Sequence, residues 1–303
     1  MNRAFAQKRK TMNQMRKQEA LCGYLFALPW LIGLFTFTLY PIFSSLFYSF
    51  TNYNFSSTFK WIGLTNYIVL FTKDKMIPLS AYNTLYFAIF SVPLNMCVGI
   101  LIAVMMNQKI CGIRILRTIY YLPNVVSIVA VSMLWYFIFQ SNGVLNMLLG
   151  AIKIQGPNWL SDPAWAKNAL ILMNCWNAGG SMVIYLAGLQ GIPRSYYEAA
   201  EVDGAGALRK FFSITLPLLS PSIFYNLIIG IIGALQTFST ALVMTDGGPV
   251  NSTTFYVLTL YRRAFEDMRM GYASAMAWVL MVITLLLTLV VFWIGNKKVY
   301  YEQ

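Results

Sequence analysis

The chain has 303 residues, 58% of them hydrophobic and only 11% charged, yet its formal net charge is +12. A soluble domain carries about 25% charged residues, disorder requires low hydrophobicity, and basic residues this sparse do not build a nucleic-acid surface. What remains is a chain whose solvent is mostly lipid.

Taken in chain order, residues 1–20 form a basic arm, followed by a run without charge between Glu19 and Lys60. Five more gaps follow, at 76–108, 118–152, 168–193, 211–245 and 270–296. Each exceeds the ~20 residues that a helix needs to cross ~30 Å of hydrocarbon. An ionised side chain at mid-bilayer costs about 2.5–3.5 kcal/mol, so such gaps mark lipid-buried helices. The expected fold is an all-α integral membrane protein with six transmembrane helices near 21–46, 79–106, 119–140, 168–190, 218–245 and 272–295. The expected organisation is the arm, a first helix with its outer loop (21–78), a five-helix core (79–295) and a tail (296–303).

With both termini cytoplasmic, the inner segments hold 14 Lys/Arg against 5 acids and the outer segments 8 against 5. This asymmetry obeys the positive-inside rule and rests mainly on the first 20 residues. The apolar run continues past Pro29 to Phe50, longer than a cleavable signal segment, so an uncleaved first helix is expected. Pro29, Pro41, Pro93, Pro123, Gly179-Gly180, Gly230 and Gly233 punctuate the helices. They read either as tight packing through small residues or as kinks beside a polar pathway.

There is no His, which removes imidazole relays and ligands. Cys22, Cys97, Cys111 and Cys175 stand far apart, and each is expected to be a small buried hydrophobe; no metal site is expected.

The most informative segment is 191–217, too long for a plain connector. Pro193 suits a helix start, and Glu198-Ala199-Ala200-Glu201-Val202 continues one. Gly204 stops it, and a second short helix is expected from Ala205 to Phe212, with Pro217 and Pro221 marking re-entry into the membrane. Interfacial helices favour Lys and Arg, whereas here Glu198, Glu201 and Asp203 cluster on the basic side. A protein partner that supplies Arg or Lys accounts for them better than lipid does.

Glu198-Ala199-Ala200, Asp203-Gly204-Ala205, Ile214 and Leu216-Pro217, at these spacings, resemble the EAA motif of binding-protein-dependent ABC importer permeases. Ala187–Pro193, Arg117 with Tyr121-Leu122-Pro123, Thr245–Pro249 and Gly271–Ala275 are similar to the carbohydrate branch, on its MalF/LacF/UgpA-like side. The resemblance implies a type I importer permease fold. It also implies that Glu198, Ala199, Ala200, Asp203, Gly204, Ala205, Ile214 and Pro217 couple to a separate ATPase, with Glu198 as the ion-pair partner. The implied partners are a second, MalG-like permease, an ATPase homodimer, an extracytoplasmic solute-binding protein, a sugar and membrane lipids, in a bacterial cytoplasmic membrane. The chain has no G-x-x-x-x-G-K-[ST], so it binds no cofactor of its own by this reading; ATP and Mg belong to the partner ATPase.

For the solute path, Asn174, Asn177 and Ser181 share one face of the fourth helix by spacing. Asn226, Gly230, Gly233 and Thr237 share one face of the fifth, with Gln236 beside it. Amides and hydroxyls suit sugar hydroxyls, and Trp176 and Tyr185 are candidates to stack on a ring; interhelical hydrogen bonding is the plain alternative. The outer loop 246–271, with Arg262, Arg263, Glu266, Asp267 and Arg269, reads as a docking surface or as a solvated loop. Segment 141–167, with Trp159 and Trp165, is placed at the outer interface. A permease for another solute such as glycerol phosphate, or a stand-alone secondary carrier, is the alternative function.

Overall fold

The computed structural model describes residues 19–56, 58–108 and 112–295; most of the basic arm, Cys111 and the tail lie outside the described residues. Among the described residues the chain is helical, and its extended pairing is a single bridge between Thr51 and Trp61. In chain order the helices are α1 (Glu19–Ser49), α2 (Thr65–Thr72), α3 (Met76–Met106), α4 (Ile113–Asn124), α5 (Ile128–Ile138), α6 (Val144–Ala151) and α7 (Pro163–Trp176). There follow α8 (Gly179–Gly191), α9 (Arg194–Val202), α10 (Ala207–Leu218), α11 (Ser220–Leu235), α12 (Ser239–Met244), α13 (Tyr256–Tyr261) and α14 (Met270–Gly295).

Helices α1, α3 and α14 are each long and apolar enough to cross a membrane. Three further spans are bent pairs: α4 with α5 at 97°, α7 with α8 at 45°, and α10 with α11 at 66°. Counting each pair as one span gives the expected six.

Local chemistry accounts for the bend at Pro123 and for the shifted boundary of the fourth span. Pro123 closes α4 in a tight turn, and residues 125–127 are not helical before α5 begins; proline removes a backbone donor and clashes with the preceding turn. The fourth span starts at Pro163 rather than 168, because Asp162 caps it, its carboxylate accepting from the Ala164 N–H at 2.9 Å. That earlier start brings Lys167 into the helix. The fifth span, expected to run over 218–245, is broken at 236–238 before α12. Pro29, Pro41, Pro93 and Pro217 do not break their helices. Pro41 and Pro217 follow π-helical turns at Leu34–Leu39 and Phe211–Thr215, which absorb the clash with the carbonyl four residues earlier.

Helix α3 is central, packing against α7, α8, α11 and α13. One apolar core joins Phe87 and Val92 of α3 to Leu170 and Met173 of α7 and to Ala241 and Leu258 beyond. A second joins Ala103 and Met106 to Met182, Tyr185 and Leu189 of α8 and to Leu219. Glycines set the spacing of these helices. A Cβ on Gly99 would stand 2.6 Å from Ser181 Oγ, and one on Gly188 2.7 Å from Ser222 Oγ. A Cβ on Gly179 would collide with the Tyr120 carbonyl.

Helix α1 is held at its C-terminal end. Asn66 Nδ2 donates to the carbonyls of Ser49 and Thr51 at 2.8 and 2.9 Å, which the end of a helix leaves free. Trp278 Nε1 donates to Ser45 Oγ at 3.1 Å, tying α1 to α14. Beside them Asp74, nearly buried, receives Arg263 Nη2 at 3.0 Å and the Tyr272 hydroxyl at 3.0 Å, and Arg263 Nη1 reaches Asp267 at 2.7 Å. Burial pulls the Arg263 guanidinium down, but the hydrogen bond to Asp267 and the charges of Asp74 and Asp267 outweigh it and hold the group above its ordinary value.

The cysteines depart from expectation. Cys22 and Cys97 are exposed at the protein surface and Cys175 is partly so. They sit on membrane-spanning helices, where a face exposed in this chain can meet lipid or a partner helix instead of its own core.

Two outcomes follow. Gly179→Val forces α8 away from the Tyr120 carbonyl and is expected to destabilise the protein by about 1–3 kcal/mol, read as a lower thermal unfolding midpoint in nanodiscs; Gly191→Ala, with open space around it, leaves the midpoint unchanged. Asp74→Ala leaves the Tyr272 hydroxyl without its acceptor and Arg263 with Asp267 alone. Because Arg263 is partly exposed, the cost is expected at about 1–3 kcal/mol, below that of a fully buried pair, with faster hydrogen exchange in α2.

Candidate functional site: a helix–Gly–helix segment and a polar cavity

The segment at 191–217 folds as two short helices around a glycine turn. Pro193 stands just before α9, its ring holding φ at −59°. The helix ends at Val202, and Gly204 takes the left-handed conformation at φ +74°, which glycine adopts without steric cost. The Ala205 N–H then returns to the Ala200 carbonyl at 2.8 Å, closing the turn. The second helix, expected over 205–212, is longer: α10 runs to Leu218 and meets α11 at the 66° bend.

The turn brings the two helices side by side. Lys210 Nζ donates to Glu201 Oε1 at 2.6 Å, and the Tyr197 and Thr215 hydroxyls lie 3.0 Å apart. The three acids are thus not equivalent. Glu201 is neutralised from within, whereas Glu198 and Asp203 are exposed and make no ion pair among the described residues. Around them Val202 is 89% exposed, Leu208 76% and Phe212 63%. Ala199 is exposed and Ala200 half-buried; Ile214 and Pro217 lie further back, partly buried where α10 joins the bundle.

A second feature lies within the bundle. A cavity of about 390 Å³ is lined by α3, the end of α4, the α7–α8 break and α11. Asn174, Asn177, Ser181, Gly230 and Gly233 all line it, so the two faces inferred from spacing converge. Gln236 and Thr237 do not: they fall in the break after α11, and Thr237 Oγ1 donates to the Gly233 carbonyl at 3.3 Å. Trp176 stands edge-on to Trp135, and Tyr185 is fully buried in the core; neither lines the cavity.

Four polar lining residues were not anticipated: Ser91, Asn95, Asn124 and Tyr225. Asn95 Nδ2 donates to the Asn174 carbonyl at 2.8 Å, and Ser181 Oγ lies 3.3 Å from Asn95 Oδ1. Asn124 bridges two helix breaks: with its amide oriented to suit its neighbours, it donates to the Asn177 carbonyl at 3.2 Å and accepts from the Gly180 N–H at 3.0 Å. The two glycines of α11 differ. A Cβ on Gly230 would stand 3.0 Å from Val92, whereas one on Gly233 meets nothing within 4 Å. The lining contains amides, hydroxyls and apolar groups and no Asp, Glu, Lys or Arg. It can donate and accept hydrogen bonds without fixing a charge.

Comparison with known proteins gives this geometry a family. Residues 95–297 match the family described as binding-protein-dependent transport system inner membrane component. The chain is 44% identical over 291 residues to the Probable ABC transporter permease protein YesP of Bacillus subtilis (strain 168), covering 95% of this chain and 94% of that one. It is 35% identical over 283 residues to the lactose transport system permease protein LacF of Rhizobium radiobacter, covering 91% and 94%. Among solved structures it superposes with a TM-score of 0.79 and 27% identity on a chain of a bacterial alginate ABC transporter in complex with an alginate pentasaccharide-bound periplasmic protein, covering 92% and 94%. Matched over the bent spans, the helix–Gly–helix segment and the cavity alike, this multi-pass membrane chain belongs to the inner membrane components of binding-protein-dependent ABC importers.

Proposed function

We propose that this chain is one permease subunit of an ATP-driven sugar importer, with its termini in the cytoplasm. It pairs with a second permease around the translocation path, receives solute from an extracytoplasmic binding protein, and docks through α9 and α10 on an ATPase dimer that handles ATP and Mg. The observation that carries the reading is the unpaired Glu198 beside exposed Val202, Leu208 and Phe212 on a rigidly stapled helix pair. Exposed apolar groups around a carboxylate suit a cleft that supplies a basic residue. The chain lacks a phosphate-binding loop of the P-loop type, so the energy enters through a partner.

A sugar as solute is supported by the uncharged Asn-rich cavity and by the names of LacF and of the alginate transporter among the similar proteins. Amide donors and acceptors match hydroxyl groups without the cost of a buried charge.

Glu198→Lys is expected to abolish co-purification of the ATPase and to lower uptake at least about tenfold, the scale of a lost charge-assisted contact. Gly204→Leu, which cannot hold φ +74° cheaply, does the same while the membrane helices stay folded. Retention of both ATPase and uptake in these variants sinks the coupling role. Gly233→Leu is expected to leave the unfolding midpoint unchanged but to slow uptake of larger sugars most, and Asn177→Ala to alter selectivity; wild-type rates and selectivity in both remove the cavity from the path.

A further inference from the structure

Away from the polar cavity, the seam between α3 and α7 holds a second site of different chemistry. Its deeper part is an apolar groove of about 590 Å³, lined by Ile89, Phe90, Pro93 and Cys97 of α3 and by Trp165 and Leu172 of α7. From Ile89 to Cys97 the helix rises about 12 Å, close to half of the ~30 Å hydrocarbon core and hence to one leaflet. Cys97 and Leu172 are exposed there, so the groove opens outward from this chain.

A cation stands at the outer end of the same seam. Lys167 Nζ lies over the rings of Tyr86 and Tyr82, 4.6 and 4.9 Å from their centroids, and donates to Asn83 Oδ1 at 3.1 Å. The Tyr86 ring lies 4.6 Å from that of Phe90, and its hydroxyl donates at 3.2 Å to Asn168, which lines the groove. Tyr82, Tyr86 and Phe90 stand at i, i+4 and i+8, so one aromatic stripe joins ammonium to groove. Every partner of Lys167 is neutral, and no carboxylate among the described residues pairs with it. Ring faces and an amide oxygen soften the cost of a cation at a membrane boundary but leave its charge uncompensated. Tyr and Trp around it mark headgroup level.

We infer that this seam binds one anionic phospholipid, with an acyl chain in the groove and its phosphate at Lys167. An anion with an apolar tail completes both halves, whereas a helix of the partner permease would fill the groove and leave the charge.

The test uses the assembled importer in nanodiscs of phosphatidylglycerol or phosphatidylcholine. Retained lipid is counted by native mass spectrometry, and groove occupancy is read by quenching of tryptophan fluorescence with lipids brominated on the acyl chain. Wild type is expected to hold phosphatidylglycerol over phosphatidylcholine by roughly fivefold, the weight of one basic side chain at an anionic surface. Lys167→Gln erases that preference, Lys167→Arg keeps it, and Leu172→Trp lowers occupancy by either lipid. If Lys167→Gln fails to assemble, the Arg and Trp variants decide. Equal retention of the two lipids by wild type overturns the inference, as does an unchanged preference in Lys167→Gln, full occupancy in Leu172→Trp, or cross-linking of Cys97 to the partner permease in the resting complex.

Discussion

Hydrocarbon offers no hydrogen bonds, so each backbone group freed where a membrane helix breaks must find its partner within the protein. In this chain that constraint converges on Asn124. Its amide sits where α4 ends and α8 begins, bonded to the backbone on both sides of the α7–α8 break. Gly179 and Gly180 bring that backbone close enough to be reached. Polar groups gathered to stabilise two breaks then become the wall of a polar cavity. The irregular backbone and the polar cavity are thus one feature: the first is tolerated because it lines the second.

Charge follows a complementary rule. Around the loop 246–271 acids meet bases, with Asp74 holding Arg263 and Asp246 holding Arg262 at 2.7 Å. The Asp74 pair and the apolar cluster of Leu70, Tyr256, Tyr272 and Met276 fasten the α1–α2 region, which lies ahead of the family's matched residues 95–297, to α14 and the loop before it. The loop 246–271 is therefore knitted to the rest of the chain rather than freely solvated. On the α9–α10 segment the rule is relaxed, and Glu198 and Asp203 stand without such partners among the described residues. An acid left open in one place, while others are neutralised, is what makes a surface selective for a basic counterpart.

Much of this was legible because ionised side chains are excluded from mid-bilayer, so gaps between charges locate spans. A gap carries no direction, however. The 97° turn at Pro123 and the break at 236–238 leave hydropathy unchanged, and Gln236 and Thr237 were assigned to a face that the chain has already left. Residues 174, 177 and 181 stay on the cavity despite the intervening break, because Asn124 holds its two sides in place. Ser91 and Asn95 passed unnoticed because two polar residues one turn apart are ordinary inside a long apolar helix; their meaning comes from α8 lying against them. The acids of α9 looked like a single cluster until the Gly204 turn brought Lys210 back to Glu201. The cysteines were misplaced because in a membrane protein an apolar environment is found on the outside as well as in the core.

Gly233 has a wider consequence. Neighbouring small residues are fixed by what they touch, and enlarging them displaces a helix. At Gly233 the wall is thin for no structural reason, since nothing lies within reach of an added side chain. The bore of the cavity is therefore uncoupled from the integrity of the bundle. The size and lining of the cavity can change at a position on which the scaffold makes no claim.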